Sequence, residues 1–189
     1  MAAKSNLKNM ALCLTAVCLV CSAILGVVYA VTAEPIRQAN IKALQSALSL
    51  VLPEGGEVSA EPQYVEFNGQ KYEYYVQSVD GEASAWAVKS AVNGFGGTLT
   101  LLVGIRQDGI VNATKVLSHS ETPGLGAKCQ TDARFIGQFA GFDPAKGTLK
   151  VKKDGGSIDA ITASTITSRA YTLAVANAVE AAAKIKEGR

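Results

Sequence analysis

Between Lys8 and Glu34 the chain carries no charged residue. The run Met10–Ala33 is longer than the ~20 residues an α-helix needs to cross a bilayer. It also exceeds the roughly 7–15-residue apolar core of a cleaved signal peptide. Val31-Thr32-Ala33 offers a small-residue cleavage pattern, but the length favours a retained anchor. From Glu34 to Leu52 apolar residues return at spacings near three and four (Ile36, Ala39, Ile41, Leu44, Leu48, Val51), which predicts an amphipathic stalk helix with Pro35 in its first turn. Pro53-Glu54-Gly55-Gly56 ends that pattern with turn-forming residues.

Beyond Tyr64 the texture becomes strand-like. Tyr64–Phe67 and Tyr72–Val79 flank Asn68-Gly69, a strong hairpin signal. Asp80-Gly81 precedes a further strand over Ala83–Ala91, and Thr98–Ile105 and Ile110–Leu117 flank Arg106-Gln107-Asp108-Gly109. A helical pattern over Thr167–Lys186, with Leu173, Val175, Ala176 and Val179 among its apolar positions, closes the chain. Strands first and a helix last predict an α+β fold: one N-terminal transmembrane helix, then an extracytoplasmic domain with an antiparallel sheet and a C-terminal helix. The divisions fall at 1–33 for the cytoplasmic N-terminus and anchor, 34–62 for the stalk and linker, and 63–189 for the globular domain.

Charge sets the orientation. Lys4 and Lys8 precede the apolar run with no acidic residue beside them, which favours a cytoplasmic N-terminus in the inner membrane. These two lysines account for the whole excess of 18 basic over 16 acidic residues, so the remainder is formally neutral and has no electrostatic footprint for nucleic acid. Of the four cysteines, Cys13, Cys18 and Cys21 lie in the span and only Cys129 lies beyond it, which leaves no internal disulfide framework. Cys18-x-x-Cys21 reads as small apolar residues facing lipid or a partner helix. No zinc or iron–sulfur spacing occurs in the exported part.

Two stretches carry candidate chemistry. Thr162, Ser164, Thr165, Thr167 and Ser168 cluster just before the terminal helix. Hydroxyls there can cap the unpaired N–H groups of a first turn. The same place suits a phosphate, towards which those N–H groups and the positive end of the helix dipole point. Upstream, Glu121-Thr122-Pro123-Gly124-Leu125-Gly126 combines a fixed backbone angle at Pro123 with glycines that let main chain approach a flat or anionic ligand. Taken by themselves, the first stretch is also an ordinary N-cap and the second an ordinary Pro-Gly turn. Asn93-Gly94-Phe95-Gly96-Gly97 lacks the spacing of a dinucleotide fingerprint and reads as a packing turn. His119, the only histidine, has no nucleophile partner in sequence and is assigned no catalytic role.

Together the two stretches resemble the FMN-binding domain family of the G subunit of the Rnf complex and the C subunit of sodium-translocating NADH:quinone oxidoreductase. Asp159, Thr162, Thr165 and Thr167 match the flavinylation motif, with Ala163 and Ser164 where Gly and Ala are usual. The stretch Glu121–Gly126 matches the family's other signature at all six positions. Asn93–Gly97 is similar to the family's aromatic-glycine turn, and compact length is closer to the G subunit. The resemblance implies FMN joined through its phosphate to Thr165. It assigns Thr162, Ser164 and Thr167 to phosphate contact or turn order, and Thr122, Gly124, Leu125 and Gly126 to the ring or ribityl chain. Glu121 would accept a bond from a ring N–H or stand as a solvated surface carboxylate, and Asp159 would serve recognition by a flavin transferase or turn formation. No catalytic or metal residue is implied, and the chain would not be a complete enzyme by itself. The implied role is that of an anchored electron-transfer subunit, partnered by other membrane subunits of an ion-translocating ferredoxin:NAD oxidoreductase. The alternatives are the quinone reductase C subunit and an anchored scaffold without flavin.

Overall fold

A computed structural model describes residues 7–188; Lys4, which contributes to the charge asymmetry, lies outside the described residues. Helix α1 runs over Leu7–Val51. Among the described residues it is the one helix long and apolar enough to cross a membrane, and none of its most apolar stretch is buried. Pro35 lies inside α1, whereas the sequence pattern suggested a separate helix starting there. A proline removes one intrahelical hydrogen bond and crowds the preceding turn. Here the backbone stays helical on both sides, and Glu34 accepts from Arg37 at 2.9 and 3.0 Å and from Gln38 at 3.1 Å.

The chain divides into two compact units, one ending at Ala43 and the other running from Leu44. The second unit is built on a six-stranded sheet. Its strands are β1 (Glu57–Val58), β2 (Gln63–Phe67), β3 (Gln70–Val79), β4 (Glu82–Asn93), β5 (Thr98–Arg106) and β6 (Val111–Ser118). All pairings are antiparallel, in the order β3-β4-β5-β6, with β1 and β2 both on the outer edge of β3. The hairpin at Asn68-Gly69 forms as predicted: φ is +50° and +71°, and Phe67 pairs with Gln70. Asp80 and Gly81, at +53° and +84°, make a second turn of this kind between β3 and β4. Two consecutive residues with positive φ match the right-handed twist of the flanking strands.

Side-chain alternation gives the sheet two apolar faces. One carries Tyr74, Val76, Trp86, Val88 and Val103 and packs against helix α3 (Thr165–Glu187). The other carries Tyr75, Ala85, Ala87 and Leu102 and is covered by Ala47, Leu48, Val51 and Leu52 at the end of α1. The last turns of the expected stalk are therefore core. Gly104 explains the close approach, because a Cβ there would meet the Val51 carbonyl. Asn112 Nδ2 donates to that carbonyl at 2.9 Å and so caps the helix end.

Helix α3 faces the sheet with Ala170, Tyr171, Ala174, Val175, Ala178, Ala181, Ala182 and Ile185. Leu173, counted among its apolar positions, is exposed, while Ala176 and Val179 are half-buried. Alanines on the inner face allow the helix axis close to the strands, and Tyr171 fills the remaining depth. The tyrosine hydroxyl is 2.7 Å from Thr114 Oγ1, and its ring packs against Phe135 and Phe139, with centroids at 5.1 and 4.8 Å. Phe135 belongs to the short helix α2 (Ala133–Ile136), whose N-cap Asp132 accepts from the amides of Arg134 and Phe135. Tyr64 is exposed and lies under Lys71 Nζ at 4.2 Å from its ring centre, whereas Tyr72, Tyr74, Tyr75 and Trp86 are buried.

Candidate functional site: a cleft at the start of the terminal helix

Three segments distant in sequence meet at the N-terminal end of α3 and enclose a cleft of about 360 Å³. They are the aromatic-glycine turn through Phe95, the loop Glu121–Gly126 and residues 163–167.

The floor is the helix start. Thr165 is the first helical residue and Ser164 its N-cap. Ser168 Oγ accepts from Ile161 N and donates to Ser164 O, both at 2.9 Å, which folds the incoming chain back over the first turn. First-turn N–H groups have no intrahelical acceptor, and here Ser164 supplies no side-chain cap. Its hydroxyl is buried and has no hydrogen-bond partner among the described residues. Ala163, just before it, stands at φ +60°. A left-handed residue followed by free helix-start amides is an anion-binding arrangement.

The wall is the Glu121–Gly126 loop. Leu125 N donates to Thr122 O at 3.2 Å across Pro123-Gly124, and Gly124 at φ +76° occupies the glycine position of a type II turn. Gly126 is pressed into the base: a Cβ there would come within 2.5 Å of Glu121 Oε2 and 2.7 Å of Thr167 Oγ1. Phe95, Leu125 and Ile166 stand at the rim, 67 %, 44 % and 51 % exposed, and make an apolar mouth around a polar floor. A flat apolar ring with an anionic tail has the matching character.

Glu121 differs most from its sequence reading. It is 5 % exposed, and its carboxylate is already engaged within the protein. Oε1 accepts from Phe95 N at 2.8 Å and from Gly96 N at 3.4 Å, while Oε2 accepts from Thr167 Oγ1 at 2.7 Å. Both carboxylate oxygens thus have partners within the protein. The Thr167 hydroxyl accordingly points to Glu121 and is spent on that bond. His119 shapes the same loop: its Nδ1 accepts from Glu121 N at 3.2 Å, and its Nε2 lies 3.0 Å from Gln130 Oε1.

The structure brings Thr165, Ser164, Thr167, Glu121, Thr122, Leu125 and Gly126 together and leaves two assigned residues out. Gly124 sits at the open tip of its turn, with nothing within 4 Å of a built Cβ. Thr162 faces a separate polar hollow with Asp132, Arg134 and Asp159, because the turn at Ala163 reverses the chain between Thr162 and Ser164. Asp159 lies in that hollow too, 2.7 Å from Lys152 Nζ and bracketed by both amide atoms of Gln138. Phe95 is the cleft residue that the sequence pattern assigned to packing. Its signal was available in the glycines on either side, which admit a close main-chain approach. Cys129 is fully buried behind the loop; burial, then the nearby Glu121 carboxylate, pushes its thiol up to about 11.

Residues 94–180, which include all three cleft segments, match the family model of the FMN-binding domain, and residues 1–51 match that of the RnfG N-terminal region. The G subunit of the ion-translocating oxidoreductase complex of Vibrio cholerae is 35 % identical over 175 residues, covering 85 % of this chain and 83 % of that protein. The G subunit of the proton-translocating ferredoxin:NAD(+) oxidoreductase complex of Clostridium ljungdahlii is 35 % identical over 170 residues, covering 88 % and 86 %. Among solved structures, the C subunit of the Na(+)-translocating NADH-quinone reductase from Parabacteroides distasonis aligns with TM-score 0.46 and 23 % identity over 60 % of this chain and 62 % of that one. That likeness is too slight to bear on the site. With a relative of this identity spanning most of both sequences, the chain belongs to the family of G subunits of ion-translocating oxidoreductase complexes.

Proposed function

We propose that this chain is a membrane-anchored electron carrier holding FMN through a phosphate ester on Thr165, as one subunit of an ion-translocating oxidoreductase complex. The observation that carries the reading is the buried, unpartnered Ser164 hydroxyl beside the free first-turn amides of α3, at the foot of an apolar-mouthed cleft. Those donors fit phosphate oxygens, and Thr165, the first residue of the helix, supplies the ester oxygen. Phe95, Leu125 and Ile166 supply apolar surface for a flat ring, and Thr122 lies on the same wall.

FMN, when bound, supplies transfer of one or two electrons; the protein supplies its position and electrostatic surroundings. The residues hold the phosphate end fixed and keep one edge of the ring site open. An ester link prevents loss of the group from a domain outside the cytoplasm. Residues 1–33 are the retained anchor with a cytoplasmic N-terminus, and 63–189 carry the flavin. The other membrane subunits exchange electrons with it, and a flavin transferase performs the attachment, with Asp159 and Thr162 on the surface that enzyme meets.

The test is mass mapping of the native protein from membranes of cells that contain the transferase. The peptide holding Thr165 should be heavier by one FMN less one water, and the protein should fluoresce in a denaturing gel. Thr165→Val should lose both signals while keeping its fold, because valine keeps the shape and removes only the hydroxyl. Flavin persisting on Thr165→Val moves the ester to Ser164 or another hydroxyl. A bare, colourless wild-type protein leaves only the anchored scaffold.

A further inference from the structure

We infer that Glu121 is a positioning residue: its buried carboxylate clamps the Phe95 turn to the first turn of α3 and lies beneath the ring site, where it holds the flavin potential down. The electrostatic half of this inference rests on the flavin reading above; the clamp half does not.

The geometry is that of a hub. One oxygen takes the Phe95 and Gly96 amides and the other takes the Thr167 hydroxyl, so a single side chain joins the β4–β5 turn, its own loop and α3. These contacts link residues 26 and 46 positions away in sequence, and no other hydrogen bond joins the Phe95 turn to α3 among the described residues. Glycine clears the space around it. A Cβ at Gly94 would meet Oε1, and one at Gly126 would meet Oε2. Among the described residues no lysine, arginine or histidine forms an ion pair with Glu121, so the carboxylate is held by neutral donors and by the positive end of α3. Neutral donors stabilise the carboxylate without placing a full positive charge beside it, so its negative charge acts on a neighbouring group that gains electrons.

Two substitutions separate geometry from charge. Glu121→Gln keeps an acceptor for the Phe95 amide and a polar group against Thr167; Glu121→Ala keeps neither. The first measurement uses the full chain in detergent, made without the transferase and hence without flavin. Amide exchange of the segment holding Phe95 and Gly96 should quicken by about tenfold in Glu121→Ala, stay within about threefold of wild type in Glu121→Gln, and leave the β4–β5 strand amides unchanged. Exchange at Phe95 and Gly96 that is unaltered in Glu121→Ala overturns the clamp. The second measurement uses flavin-loaded protein, with loading read by gel fluorescence. The midpoint potential of Glu121→Gln should lie above that of wild type, because reduction no longer proceeds over a negative charge. An unchanged potential in loaded Glu121→Gln overturns the electrostatic role. So does failure of Glu121→Gln to load when its exchange pattern is normal, since a residue that only positions the site must still present Thr165. A wild-type protein that never acquires flavin defeats the proposed function instead, and the exchange measurement still decides the clamp.

Discussion

At the scale of single residues, the most telling conformation is that of Ala163. Its φ of +60° places an L-residue with a Cβ in the left-handed region. The cost for a non-glycine residue is roughly 1–2 kcal/mol, and it falls where glycine is the usual residue of the family's motif. Ala163→Gly should therefore raise the unfolding free energy by roughly 0.5–1 kcal/mol after the extra chain entropy of glycine. Denaturant titration reads this directly, and an unchanged or lower midpoint contradicts the strain. Ser164 gives the opposite kind of test. An N-cap serine that caps is worth about 1 kcal/mol, but this one makes no cap bond. In protein without flavin, Ser164→Ala should shift stability by less than ~0.5 kcal/mol; a full capping loss would mean the hydroxyl is already employed.

At the scale of elements, the hairpins and the terminal helix are legible in the sequence because their determinants are local. Asn68-Gly69 and Asp80-Gly81 adopt positive φ at both turn positions, as these residue types allow. The end of α1 is a different case. Period-three-and-four spacing announces an apolar stripe at Leu44, Leu48 and Val51 but does not say what covers it. The answer is the second face of the sheet, reached through the missing side chain of Gly104. Gly104→Ala should cost about 1–3 kcal/mol, since the added methyl meets main chain that cannot rotate away. Thermal unfolding of the full chain checks it, and a melting point equal to wild type would mean that α1 is not seated as described. Leu173 shows the limit of periodicity from the other side: an apolar residue on a helix is not thereby a core residue.

At the scale of the whole molecule, pH links the core to the site. Burial pushes Cys129 from an ordinary 9.0 to about 11 and Tyr171 from 10.0 to about 12, with the Thr114 hydrogen bond pulling the tyrosine back. Both pKa values are raised on folding, so the folded state retains protons that the unfolded chain has lost. That contribution is intact below pH 9 and disappears as pH rises, through about 11 for the thiol and about 12 for the phenol. Denaturation midpoints should consequently fall from pH 9 upward. Cys129→Ala should flatten the first part of the fall, between pH 9 and 11, and leave the tyrosine part in place. An identical slope in that variant would remove Cys129 from the account.

Element type, chain order and the identity of the two motifs follow from the one-dimensional pattern, because turn chemistry, apolar period and the unpaired amides of a helix start depend on neighbours a few positions apart. The meeting of Phe95, Glu121 and Thr167 does not, since it depends on how antiparallel pairing and α3 packing close loops of 26 and 46 residues. Sequence placed Glu121 and Thr167 in motifs that contact a cofactor; the folded chain turns them towards each other. A side chain's partner is set by which groups are brought within hydrogen-bond reach, and that distance exists only once the sheet has formed and the helix has docked on it.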